Sequence, residues 1–307
     1  MTLVSLILVF VFEQIRPLPP ANAVNLLLVR YFNNLAKQFN AGERGQGIIA
    51  WLLAVVPWVI GAILVYYLLG FASVLLALAF NVAVLYFLMG FRQFSGSFST
   101  ILEALRNGDI DVARESLSSW RNQNADELDA AEVAKLAIEE GLIGAHRHVF
   151  GMMFWFVVIP GPAGAVLYRL SGMLSDRWGR RGGEDYVEFG GFARQVFEVL
   201  DWIPSRLTAI TFAIVGDFED AIYCWRTQSN SWGNLEQGIV LAAGAGALGV
   251  RLGEAVHQDG SVVFRPELGL GEEADVNHMT SGVGLVWRSV LIWMLLIALV
   301  TLATWLG

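Results

Sequence analysis

The run from Gly47 to Leu69 contains no charged side chain and is long enough to cross a lipid bilayer as a helix. About 20 consecutive apolar residues suffice for such a crossing. Within lipid every backbone polar group must bond internally, which confines spanning segments to helices or closed barrels. Pro57 predicts a kink in this run, because proline supplies no backbone donor. Phe71 to Phe91 is a second run, with Asn81 as its only strongly polar residue, and Gly70 before it predicts a tight helical hairpin. A third run, Leu285 to Leu306, carries Arg288 near its start.

Composition agrees with a membrane setting. Only 16% of the 307 residues are charged, against roughly 25% in a typical soluble domain. Eleven Trp and 19 Phe suit interfacial aromatic belts. A net charge of −8 argues against a nucleic-acid partner, which requires a basic face. The lone cysteine, Cys224, excludes an intramolecular disulfide framework. Met1 to Phe12 is apolar without a basic leader, and Glu13 and Pro17 follow it, so it reads as a retained membrane segment.

Phe150 to Leu174 is apolar enough to span, but Pro160-Gly161-Pro162 interrupts it. A helix cannot continue through that triplet without losing hydrogen bonds. Two legs, Val149 to Ile159 and Ala163 to Leu174, predict a re-entrant hairpin. Charge points the same way. Arg16, Arg30, Lys37 and Arg44 precede the first hairpin; Arg106, Arg114, Arg121, Lys135 and Arg147 follow it. Arg169, Arg177, Arg180, Arg181 and Arg194 come after the proline break, and a re-entrant loop keeps all three clusters cytoplasmic.

Phe94 to Glu140 reads as water-exposed or interfacial helices, with apolar residues at helical spacing and Asn107-Gly108-Asp109 as a turn and cap. Between Gln258 and Asp275 the chain is rich in glycine and acids. Asp259-Gly260 there predicts a turn, and Ser261 to Phe264 a short strand. The expected architecture is an all-α integral membrane protein, with few full spans, Pro-broken re-entrant helices and cytoplasmic amphipathic helices. It is one polytopic domain over 1–307. Its parts are an apolar segment and amphipathic helix over 1–45, a transmembrane hairpin over 46–92 and cytoplasmic helices over 93–147. A Pro-broken region follows over 148–216, then an amphipathic, Gly-rich region over 217–283 and a transmembrane helix over 284–307.

Several motifs resist a catalytic reading. Gly244-Ala245-Gly246-Ala247-Leu248-Gly249 matches the dinucleotide pattern, yet its Ala-rich surroundings fit close helix packing equally well. His146-Arg147-His148 places its imidazoles two apart, whereas zinc-binding helices use a spacing of four. His257 and His278 are isolated in sequence, and no metal site is expected. Neither a nucleophile elbow nor a P-loop occurs.

The richer constellation surrounds the proline break. Glu139, Glu140 and Arg147 lead into it, Tyr168, Arg169 and Asp176 leave it, and Glu198, Asp201 and Arg206 follow, with Trp225-Arg226 beyond. In Asp201-Trp202-Ile203-Pro204-Ser205-Arg206-Leu207 an acid, a proline and a base directly precede the apolar run Thr208 to Val215. Charges at membrane depth are costly unless paired, so they mark anchors or a polar pocket. Arg offers planar, bidentate recognition of carboxylate or phosphate, which makes the expected ligand anionic or amphiphilic.

The Asp201 to Leu207 segment, with Gly216 and Ala221 to Trp225, resembles a membrane superfamily: the CobD and CbiB cobalamin-biosynthesis proteins together with AmpE. Ala243 to Gly253 is similar to the late Gly-rich element of CobD and CbiB. The resemblance implies an inner-membrane, multi-pass protein. For the CobD and CbiB branch it implies amide formation on a corrinoid, with Mg-ATP. Against that branch, Ile143 to His148 stands where the family has Glu-Asn-x-x-Asp-Gly, and Gly172 to Ser175 replaces Asn-Thr-Leu-Asp, with Asp176 one position on. Glu198 alone remains of an Asp-Asp pair. Retained positions are mainly scaffold: Tyr168, Pro204, Arg206 and Leu207.

Loss of those carboxylates predicts a ligand-binding or signalling protein without synthase chemistry and without a cofactor. An amide ligase with relocated acids at Asp176, Glu198 and Asp201 is the alternative, and a small-molecule transporter a second one. The bilayer is the expected partner, and small-residue faces at Gly249 and Gly253 permit a homo-oligomer.

Overall fold

The computed structural model describes residues 1–16, 23–180, 186–258 and 261–306. Pro17, Arg181 and the predicted turn Asp259-Gly260 lie outside the described residues. In chain order the helices are α1 (Thr2–Ile15), α2 (Ala23–Phe39), α3 (Arg44–Ala72), α4 (Val74–Met89), α5 (Phe91–Arg106), α6 (Ile110–Arg121) and α7 (Ala130–Ala145). After a π-helical turn at His146–Phe150 come α8 (Gly151–Val158), α9 (Ala163–Leu174), α10 (Val187–Val215), α11 (Phe218–Gln228), α12 (Leu235–Leu248) and α13 (Val276–Leu306). Two strands, β1 (Val256–Gln258) and β2 (Ser261–Val263), pair antiparallel with His257 opposite Val262. The all-α expectation holds for the bulk of the chain, and the strand expected from Ser261 is present.

The chain divides into two compact units, Met1–Gly90 with Gly151–Trp202, and Phe91–Phe150 with Ile203–Gly307. In the first, α3 packs on α9 and α4, and α1 packs on α4. Glycine makes the closest approaches there. A Cβ at Gly47 would strike the Phe189 backbone, and one at Gly151 would overlap the Tyr168 phenol. Pro57 stays inside α3. The break at Pro160-Gly161-Pro162 falls where expected: α8 and α9 pack against each other across it, with Gly161 at φ +74°.

In the second unit α11 lies along α12, and α7 packs on α5, α12 and α13. Gly246 lets the Asp220 carbonyl approach α12, and Gly216 meets the Ala247 backbone. The G-x-G-x-x-G pattern therefore serves helix packing. Its first five residues are helical within α12, and Gly249 is the left-handed cap at φ +65°. Cys224 is buried on α11, and burial, with Asp220 nearby, raises its thiol pKa to about 11. A maleimide at pH 8 should leave the native, detergent-solubilised protein unlabelled and label it once denatured, because only the thiolate reacts. Native labelling counted by mass spectrometry would contradict this.

Among the described residues three helical runs are long and apolar enough to cross a membrane: Arg44–Ala72, Ala130–Val158 and Val276–Ala303. The first and last match the expected runs. Both expose large apolar side chains such as Leu53, Ile60 and Leu64 on α3, and Leu291, Leu295 and Leu299 on α13. Surface of this kind suits lipid contact.

Two expectations need correction. Phe71 to Phe91 is not one continuous helix, although α4 and the helix after it, bent by 44°, are together long and apolar enough for a broken span. The helix breaks at Ser73, whose hydroxyl accepts from Leu75 N at 3.2 Å, and α4 has 16 residues. At 1.5 Å per residue that is about 24 Å, short of a ~30 Å hydrocarbon core. The second concerns Phe94 to Glu140, expected to be water-exposed or interfacial. The α5–α6 pair and the Asp109 cap are present, but α7 is buried along most of its length, including Glu132, Lys135 and Glu139. Its charges belong to the protein interior.

Candidate functional site

The buried charges of α7 are spaced at three and four residues, which puts Glu132, Lys135 and Glu139 on one face of the helix. The helix starts with a capping box: Glu132 N donates to Asp129 Oδ1 at 2.8 Å, and Asp129 N to Glu132 Oε2 at 2.9 Å. That reciprocal arrangement fixes Glu132 at the first turn. Its other oxygen, Oε1, accepts from His257 N at 3.1 Å and lies 2.8 Å from His257 Nδ1.

The segment from Gly249 to Glu272 supplies the partners. Leu252 and Leu268 exchange backbone hydrogen bonds at 2.7 and 2.9 Å, and Gln228 clamps both backbone groups of Gly269. Gly253 and Glu254 adopt successive left-handed conformations, at φ +72° and +58°. Such a conformation is ordinary for glycine and strained for glutamate.

This corner faces α7. Glu139 Oε2 accepts from Arg265 Nη1 at 2.6 Å, while Oε1 accepts from Arg265 Nη2 at 3.1 Å and Gly253 N at 2.8 Å. Arg265 also donates to the Gly253 carbonyl at 2.8 Å and lies over the Trp232 ring at 5.7 Å. Lys135 Nζ, with its side chain only 4% exposed, meets Glu254 Oε2 at 2.7 Å. Arg251, more exposed, reaches Glu254 Oε1 at 3.6 Å. The result is a set of interlocked ion pairs, as buried charges require.

Chemically the set has two parts. Glu139 and Arg265 form a fixed bidentate pair that holds the corner in place. Glu132 and His257 pair a buried carboxylate with an imidazole whose side chain is 60% exposed. The hydrogen bond and charge of Glu132 raise the His257 pKa above its usual value. A carboxylate that orients an imidazole while its outer nitrogen faces solvent is the arrangement of a general base.

The first unit holds a second polar point. Tyr168 and Asp201 are both buried, and the Tyr168 hydroxyl donates to Asp201 Oδ1 at 2.7 Å. Trp155 Nε1 donates to the Leu200 carbonyl one residue earlier, at 3.0 Å. Among the expected site residues, Arg169 and Asp176 are half-buried in this unit, and Glu198 pairs loosely with Arg194 at 3.8 Å. Glu139, Arg147, Arg206, Trp225 and Arg226 belong to the second unit. Trp225 packs on Ala209, Ile239 and Ala243, and Arg226 is exposed on α11. His146 Nδ1 lies 2.9 Å from the Thr208 hydroxyl, and the His148 ring stacks on Phe94.

A family model described as CobD/Cbib protein matches residues 5–286. The chain belongs to the CobD/CbiB family. The cobalamin biosynthesis protein CobD of Stutzerimonas stutzeri is 36% identical over 270 residues, 88% of this chain and 86% of that protein. The protein of the same name from Chromobacterium violaceum is 38% identical over 219 residues, 71% of this chain and 70% of its own length. No solved structure matches. With three spanning-length helices, this CobD/CbiB member is a membrane protein.

Membership corrects the expectation of a sensor or transducer without synthase chemistry. Relatives at 36–38% identity over most of their length carry the name cobalamin biosynthesis protein CobD. That expectation rested on carboxylates missing beside the proline break. Elsewhere in the chain, acids of α7 meet partners from the segment after α12, over a separation of more than a hundred residues. Of the residues in this cluster, only Glu139 was legible beforehand as a site residue. His257 is isolated in sequence and gains meaning only beside Glu132.

Proposed function

We propose that this CobD/CbiB protein acts in cobalamin biosynthesis, forming an amide between a corrinoid carboxylate and an amino alcohol or its phosphate. The observation that carries the reading is the Glu132–His257 pair beside the Lys135, Arg251 and Arg265 cations, in a chain so similar to proteins named CobD. Amide formation requires removal of a proton from the incoming ammonium and neutralisation of oxyanion charge. His257 Nε2 takes the proton, Glu132 holds the imidazole and stabilises its charged form, and the cations meet the anionic groups. In this reading ATP would activate the corrinoid carboxylate by phosphoryl transfer, and phosphate would leave as the amine nitrogen forms the amide bond.

The carboxylates do not fit a resident metal. Glu132, Glu139 and Glu254 each bond a cation or imidazole, and among the described residues no three His, Cys, Asp or Glu side chains gather as ligands.

The same reading places the protein in the bacterial inner membrane as a multi-pass chain. A re-entrant hairpin at the Pro160 to Pro162 break belongs to the same reading, supported by the packing of α8 on α9 across that break.

Expression in a bacterium lacking its own CobD should restore cobalamin-dependent growth on cobyric acid. The protein reaching the membrane without restoring growth would count against the reading.

A further inference from the structure

The three carboxylates of the second-unit cluster are not equivalent. Both oxygens of Glu132 are engaged, one in the capping box and one at His257. Glu139 is held by a bidentate guanidinium and a backbone amide. Glu254 differs on every count. Its side chain is 28% exposed, its backbone is in the left-handed region at φ +58°, and its carboxylate alone answers two cations, Lys135 and Arg251. Lys135 is almost fully buried at the base of that pairing.

Resting on the function proposed above, we propose that Glu254 is a displaceable internal counter-ion. It occupies the Lys135 ammonium until a small oxyanion, best a phosphate dianion, replaces it between Lys135 and Arg251. Two cations against one carboxylate leave one positive charge in excess, and a dianion balances the pair. Release of Glu254 also relieves a left-handed backbone conformation that is strained in a non-glycine residue. The adjacent Gly253, pinned to Glu139 through its amide and to Arg265 through its carbonyl, acts as the hinge. Displacement thus moves Glu254 while the Glu139–Arg265 pair stays in place.

The test uses the full chain in detergent micelles with inorganic phosphate as probe, read by calorimetry. Glu254→Gln and Glu254→Gly should each tighten phosphate binding by about tenfold or more, as removal of a charge-assisted competitor entails. Lys135→Met in the Glu254→Gly background should abolish it. In the unaltered protein, phosphate should raise hydrogen exchange across 251–256 and leave α7 unchanged, a readout that does not depend on any variant folding. Acetate binding as tightly as phosphate would keep the displacement and assign the place to carboxylates. Unchanged phosphate affinity in a folded Glu254 variant, or unchanged exchange across 251–256, would overturn the proposal. Growth restoration is scored separately: a protein that restores growth but fails here loses only the counter-ion role, and one that passes here without restoring growth loses only the biosynthetic reading.

Discussion

His257→Ala is expected to lower the rate of amide formation by about 10²–10⁴-fold while leaving the protein folded and membrane-bound, the usual worth of a positioned general base. The side chain is largely exposed, so its removal opens no core cavity. Glu132→Gln separates the roles of the two residues. It keeps a hydrogen-bond partner for His257 and removes the charge that raises the imidazole pKa. A base must be neutral to act, so the rate in the unaltered protein should rise with pH through that raised value. In Glu132→Gln the rising limb should move to lower pH, with a lower plateau because the imidazole is less basic. A limb that stays in place would remove Glu132 from this role. Stability follows the opposite sign. The pairing stabilises the fold fully below the ordinary imidazole pKa, and the gain is lost as pH rises through the raised folded value.

Arg265→Leu is expected to cost about 3–5 kcal/mol, because it leaves the Glu139 carboxylate buried and unpaired. In a thermal melt of the solubilised protein this corresponds to a drop on the order of 10 °C. The guanidinium also contributes a hydrogen bond to Gly253 and its place over Trp232, so the corner at Gly253 should loosen with it. Glu139→Leu combined with Arg265→Leu should recover part of the loss, since apolar replacement of both partners removes the stranded charge. A single variant that melts with the unaltered protein would show the pair to be dispensable. A double variant no better than the single one would place the cost in the lost Gly253 and Trp232 contacts instead.

Periodicity and length made α3, α13 and the proline break legible, because each is set by local chemistry. Helix-forming apolar runs, a missing donor at proline and a capping aspartate act within a few residues. The same reasoning misjudged α7. Glu132 and Lys135 fell within a stretch expected to be water-exposed or interfacial, and only Glu139 was expected at a site, because their partners lie beyond residue 250 and leave no local trace. A spacing of three and four along one helix face was the available signal. It becomes specific only when Gly253, Glu254, His257 and Arg265 are brought opposite. The expected loss of synthase chemistry was read from a few short stretches, whereas family membership is carried by residues 5–286 together.

The sequence by itself determined that this chain enters a membrane as helices, where it breaks at Pro160 to Pro162, and which superfamily its Asp201 to Leu207 segment resembles. Those are consequences of hydrophobic length, backbone donors and short motifs. Only the tertiary structure decided that the Gly-rich element packs helices and does not cradle a nucleotide, that Tyr168 meets Asp201, and that Glu132 orients His257. Pairings of buried charge depend on long-range placement, since a charge leaves water only where a distant partner is already waiting.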